Sequence, residues 1–325
     1  MSFDSIPGQE RAKRMLLNGL RTDTLSHAYV FSGPVGSGRM QMAMALAKTV
    51  FCTESKDEAC GRCVECRKIE HGNHPDLYVI QPDGASIKIE QIRELQKQFA
   101  YRAGAGQWKI VILQQAERMT VQAANSLLKF LEEPQSAMIA ILIAENGHAL
   151  LPTIRSRAQW IAFVPMSKKK MEQLLTSEGH ALALVRAAAQ LTAGVDAART
   201  LVQESWFAEA RNVVIQLAHD ALTRLPAAAI AAQQKVVKTD LAERLPVLLD
   251  LWLLWLKDII RLRSGNRDDM VFIDQADAMA SLAFSREPGF WVSCMEHTLE
   301  AQKRLRFHTN PQLVLEQFMI AMRSA

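Results

Sequence analysis

Cys60, Cys63 and Cys66 stand three residues apart, and Cys52 precedes them across a gap of seven residues. Four thiolates can close a tetrahedral shell around Zn²⁺, and this spacing lets a short knuckle turn several sulfurs inward. The surrounding run ESKDEACGRCVECRK is polar, which argues against cysteines buried only for packing. Four sulfurs leave no open ligand position, so the implied metal is structural rather than catalytic. In a reducing cytosol such spacing favours metal over disulfides. His71 and His74 lie nearby but read as surface or turn histidines, and Cys294, alone in a helical stretch, reads as a core thiol.

A second constellation is the glycine loop Gly33-Pro34-Val35-Gly36-Ser37-Gly38-Arg39-Met40, with Gly33 and Gly38 at the glycine positions of a phosphate-binding loop. The amides of such a loop and the helix that follows make an anion cradle. Hydrolysis of a triphosphate also needs a lysine on the phosphates and a hydroxyl on magnesium. Here Arg39 takes the lysine position and Met40 the hydroxyl position. A forked guanidinium does not replace an ammonium point charge, and a thioether is a poor ligand for a hard cation. The apolar run Val111-Ile112-Leu113 then leads into Gln114-Gln115, where acids for magnesium and water activation are expected. These losses predict no turnover. For Gly33, Gly36, Gly38 and Arg39 two readings stay open: a tight turn only, or nucleotide binding without hydrolysis.

These loops need elements to hold them. His27–Ser32 reads as a strand and Met40–Val50 as the helix after the glycine loop. Leu77–Ile80, Trp108–Leu113 and Met138–Ala144 read as further strands, with helices over Ile89–Phe99 and Val121–Leu131 between them. That alternation implies a parallel, doubly wound sheet. Beyond Pro165 the β signal ends. Residues 166–205 predict a small helical lid and 206–325 a helical bundle, so the expected organisation is α/β plus α: an α/β domain over 1–165 with the cysteine insert, then two helical domains.

Composition bounds the partners. Of 325 residues, 49% are hydrophobic and 22% charged, ordinary values that exclude disordered and fibrous chains. The net charge is +4, with 19 basic and 16 acidic residues up to Pro165 and 19 and 18 after it, so neither half is a strongly cationic nucleic-acid arm. The start, Met1–Gln9, is polar and carries no secretion signal, and Leu245–Ile260 is too short and too charged to span a bilayer. The expectation is a cytoplasmic protein without membrane contact. Lys168, Lys169 and Lys170 read as a solvated helix face, and Trp252 and Trp255, amid leucines, as core or interface rather than a base-stacking platform.

The segment Asn125-Ser126-Leu127-Leu128-Lys129-Phe130-Leu131-Glu132-Glu133-Pro134, with Leu150-Leu151-Pro152-Thr153-Ile154-Arg155-Ser156-Arg157 beyond it, resembles the AAA+ clamp-loader subunits of bacterial DNA polymerase III. The four-cysteine insert fits that family, and the degenerate loop and missing acids resemble its non-hydrolysing member rather than the gamma/tau motor. The resemblance implies an AAA+ α/β domain with a zinc-binding insert, a lid, and a C-terminal helical bundle serving as an oligomerisation collar. It implies gamma/tau ATPase subunits, a delta subunit and, through the complex, the beta sliding clamp and primer-template DNA as partners. In that family a Ser-Arg-Cys motif lends an arginine to the neighbouring ATP site. Here it reads Ser156-Arg157-Ala158, which keeps the charge and assigns the trans role to Arg157. On the residues alone, Arg155 or Arg157 pairing with an acid on its own surface is the plainer reading. Two other functions compete: an active motor in which Arg39 replaces lysine, and a free-standing zinc-containing DNA-binding protein, which the weak net charge disfavours.

Overall fold

The computed structural model describes residues 2–101, 108–132, 137–223, 225–307 and 309–324. The chain divides into two compact units, Met1–Met166 and Ser167–Ala325.

The first unit is built on five strands: β1 (Ala28–Ser32), β2 (Leu77–Ile80), β3 (Lys109–Leu113), β4 (Met138–Ala144) and β5 (Gln159–Ala162). Every pairing is parallel, and the order is β2-β3-β4-β1-β5. The apolar runs IVIL and MIAILIA fall in β3 and β4, which are buried at every position because helices cover both faces. β2 and β5 lie at the edges and are partly exposed. Alternation then sorts the side chains. Ala28, Val30, Val111, Leu113, Ala140 and Leu142 face one core with α4 (Ile89–Tyr101) and α5 (Val121–Glu132). Tyr29, Phe31, Ile110, Ile112, Ile139 and Ile141 face the other, against α1 (Glu10–Arg21) and α2 (Arg39–Phe51). Two short helices complete the unit, α3 (Val64–Glu70) after the third cysteine and α6 (Pro152–Arg155), which starts with proline at its first position.

The sheet brings the carboxyl ends of β1, β3 and β4 together, where ligands of parallel α/β sheets bind. Gly33 makes this approach possible. Its N–H donates to Ala144 O at 3.2 Å, and a Cβ there would meet Phe163 O at 2.3 Å. Backbone cannot retreat as a side chain can, so Gly33→Ala is expected to cost about 3 kcal/mol. A lowered urea midpoint at constant m-value checks this; an unshifted midpoint refutes the close approach.

The second unit holds α7 (Lys168–Ser177), α8 (Leu182–Leu191), α9 (Val195–Gln203), α10 (Ser205–Thr223), α11 (Leu225–Ala232), α12 (Leu245–Arg263), α13 (Ala276–Ala283), α14 (Pro288–Arg306) and α15 (Pro311–Ser324). α12 is its centre. Trp252 packs edge-on against Phe318 with ring centroids 5.0 Å apart, and Trp255 against Trp291 at 6.5 Å. Both indoles of α12 are buried core, not a stacking platform. Asp258, wholly buried, accepts the N–H groups of Val271 and Phe272 at 2.7 Å each and Arg261 at 2.9 Å, so its charge is fully partnered. Cys294 is a core thiol that burial pushes up to about 12. Of the lysine run, Lys169 and Lys170 are exposed, while Lys168 donates to Ala189 O and Thr192 O at the end of α8. Among the described residues no helix is long and apolar enough to cross a membrane.

Candidate functional site

Three groups of residues in the first unit carry chemistry. The glycine loop leaves β1 at Ser32 and enters α2 at Arg39, strand to loop to helix as its spacing predicts. Gly36 and Gly38 take φ of 75° and 85°, a left-handed conformation that side chains resist. An N-terminal residue grips the loop. The Gln9 side chain donates to Ser37 O at 2.9 Å and to Val164 O at 2.6 Å, and accepts Val164 N–H at 3.2 Å. Nothing in the sequence pattern marks Gln9 for this part, because it acts across 155 residues.

Inside the loop, Arg39 is 9% exposed. Burial pulls its guanidinium below the usual value, and the charges of Glu145 and Glu117 oppose that. Glu117 in turn accepts the Glu145 N–H at 3.1 Å. No sequence pattern marks either acid. The residues at the two expected magnesium positions touch: the Gln114 amide donates to the Met40 sulfur at 3.5 Å. Where a hydroxyl and a carboxylate would share a hard cation, a thioether and a neutral amide contact each other. Such a pair offers little negative charge and no basicity.

The second group is the cysteine module between α2 and α3. The Sγ atoms of Cys52, Cys60, Cys63 and Cys66 all lie within 4.8 Å of one another. Sulfurs of a tetrahedral thiolate shell at ~2.3 Å from the metal stand ~3.8 Å apart, so the arrangement fits a metal ion. Each amide feeds the preceding sulfur: Cys60 N–H donates to Cys52 Sγ at 3.4 Å, Cys63 N–H to Cys60 Sγ at 3.3 Å, and Cys66 N–H to Cys63 Sγ at 3.4 Å. Burial pushes the Cys63 thiol up, but donation from Cys66 and Thr53 outweighs it and brings Cys63 down to about 6. Burial and neighbouring thiols push Cys66 up to about 12. Four cysteines so gathered could hold one ion. His74 stays outside the sulfur group, but it is buried rather than the surface or turn histidine its sequence context predicts, because its ring and both nitrogens find partners. Its Nε2 meets Glu65 at 3.1 Å, its Nδ1 accepts Asp76 N–H at 3.2 Å, and its ring stacks on Phe51 at 4.0 Å.

The third group joins the two halves of the diagnostic segment. In α5, Leu127 and Leu131 are buried and Leu128 half-buried, which fixes the helix on the sheet; Glu133 and Pro134 lie outside the described residues. Ile154, fully buried, anchors α6 beside it and leaves Ser156 and Arg157 at the surface. Arg155 lies over the Trp160 ring at 5.9 Å. Arg157 Nη2 meets Glu132 Oε1 at 2.8 Å, and its Nη1 donates to Thr153 O at 3.1 Å. The arginine is therefore both exposed and paired with an acid of its own chain.

The family model described as "DNA polymerase III, delta subunit" matches residues 8–167. The DNA polymerase III subunit delta' of Bacillus subtilis (strain 168) is 36% identical over 316 residues, covering 97% of this chain and 96% of that protein. The subunit delta' of Pseudomonas aeruginosa is 40% identical over 135 residues, 41% of each chain. The DNA polymerase III subunit tau of B. subtilis is 34% identical over 189 residues, 54% of this chain and 33% of its own.

Proposed function

Because this chain belongs to the delta' family of DNA polymerase III subunits, we propose that it is the non-hydrolysing member of a clamp-loading complex. In this reading it joins gamma/tau ATPase subunits and a delta subunit, and the assembly opens the beta sliding clamp and closes it on primer-template DNA in the cytoplasm. Residues 166–205 act as lid and 206–325 as the oligomerisation collar. The observation that carries the reading is the contact between Met40 and Gln114 at 3.5 Å, which spends both magnesium positions on each other. A chain that cannot organise a hard cation or activate water has no route to steady hydrolysis of its own.

Gly33, Gly36, Gly38 and Arg39 could still hold a nucleotide statically. The cysteine module binds Zn²⁺ and keeps the insert folded; soft all-thiolate donors favour that ion. Arg157 supplies a guanidinium to the neighbour's ATP site, where it meets charge growing on the γ-phosphate. The similarity to subunit tau favours the competing reading of an active motor in which Arg39 stands in for lysine.

Both readings are tested by mixing the purified chain with tau and delta subunits. Co-migration on size exclusion, with phosphate release only when tau is present, is the expected result. Phosphate release by the isolated chain at the motor's rate would overturn it. Titration calorimetry with ATP and magnesium then reports static binding separately.

A further inference from the structure

The pair between Arg157 and Glu132 is more than an incidental surface contact, and it extends the trans-arginine reading on which it rests. Arg157 has five N–H donors. One arm meets Glu132 at 2.8 Å, the other meets Thr153 O at 3.1 Å and Ser156 Oγ at 3.4 Å, and Nε makes no hydrogen bond among the described residues. The guanidinium is thus folded back along its own helix turn, while 40% of the side chain stays open to solvent.

Glu132 has no local reason to be an acid. It lies in α5, on the described stretch that ends beside Arg157. Its side chain is 46% exposed, so no buried donor requires it. What it does satisfy is Arg157. We propose that Glu132 is a positioning residue that parks Arg157 against this subunit until a neighbour's triphosphate draws it away.

Magnitudes decide between a lock and a holster. An exposed ion pair is worth less than about a factor of five, whereas a finger on a phosphoryl group is worth about a thousandfold or more. The phosphate therefore wins whenever it is within reach, and Glu132 only tunes how readily the arm leaves. Parking keeps a long cation from wandering when no nucleotide faces it, and it sets a small, salt-sensitive threshold for engagement. Screening weakens such an exposed pair as ionic strength rises.

The test measures DNA-stimulated ATPase of the complex reconstituted with tau and delta subunits, using this full chain as wild type, Glu132→Gln, Glu132→Asp, Arg157→Ala and the double variant Glu132→Gln/Arg157→Ala. Glu132→Gln is expected to raise kcat/KM about two- to fivefold at low salt, with the gain fading near 0.5 M salt. Glu132→Asp, which keeps the charge, gives a smaller rise. In the Arg157→Ala background the Glu132 change has no further effect, the signature of one coupled pair. A Glu132→Gln variant that loses activity as Arg157→Ala does, that changes nothing, or that gains equally without Arg157 overturns the parking role while the trans arginine stands. A silent Arg157→Ala overturns the trans arginine itself.

Discussion

Cys66→Ala is expected to empty the cysteine module of its metal and to lower the melting temperature of the first unit by roughly 10 °C. Cys66 is fully buried at the start of α3, and its thiol donates toward Lys48 O at 4.0 Å from the end of α2. A metal held by Cys52, Cys60, Cys63 and Cys66 would clip the turn between two helices, a turn whose residues from 52 to 66 are mostly exposed or half-buried. Structural metals contribute folding free energy outright, and losing one ranks among the largest single-site effects, about 4 kcal/mol or more. For a unit of this size 1 kcal/mol moves the transition by about 2–4 °C. Metal content by atomic absorption and a calorimetric scan read the two effects separately. Cys294→Ala in the second unit serves as the control, with the metal content of the wild type. A Cys66→Ala protein that keeps one equivalent of zinc, or that melts with the wild type, refutes a structural metal.

Much of this arrangement is legible in the residues, and what is not has physical causes. β3 and β4 announce themselves because helices cover both faces, leaving uninterrupted apolar runs. β5 does not: QWIA is an edge strand with only Ile161 buried, and four residues carry no periodicity. α1 also lacks a signal at its start, since Gln9 sits in a left-handed conformation with no side-chain cap. The losses at Met40 and Gln114 are each visible in the sequence, yet their mutual contact spans 74 residues and only the sheet order creates it. Glu117 and Glu145 escape notice for the same reason, being ordinary acids until β3 and β4 lie side by side. The sulfur group, by contrast, is local, and spacing alone suffices for it.

Arg157→Ala is expected to slow the DNA-stimulated ATPase of the reconstituted complex by tenfold or more while leaving this chain folded and the complex assembled. Exposure protects the fold. The side chain is 40% open, its partner Glu132 46% open, and an exposed pair contributes at most about 1 kcal/mol. The anchor of the segment is Ile154, fully buried, which the substitution does not touch. Charge governs the rate. A guanidinium that reaches a transferring phosphoryl group in a site closed to water stabilises charge that develops only in the transition state, so its loss falls on kcat rather than on nucleotide affinity. Fingers of this kind are worth about 10³–10⁵ in single sites. In the proposed arrangement this chain faces one of several ATP sites, so the steady-state drop is smaller and single-turnover measurement on that site recovers the full effect. Arg157→Lys separates charge from shape: an ammonium cannot span two phosphate oxygens as the fork does, so it restores only part of the rate. Wild-type turnover in Arg157→Ala, with assembly intact on size exclusion, would remove Arg157 from the reaction altogether.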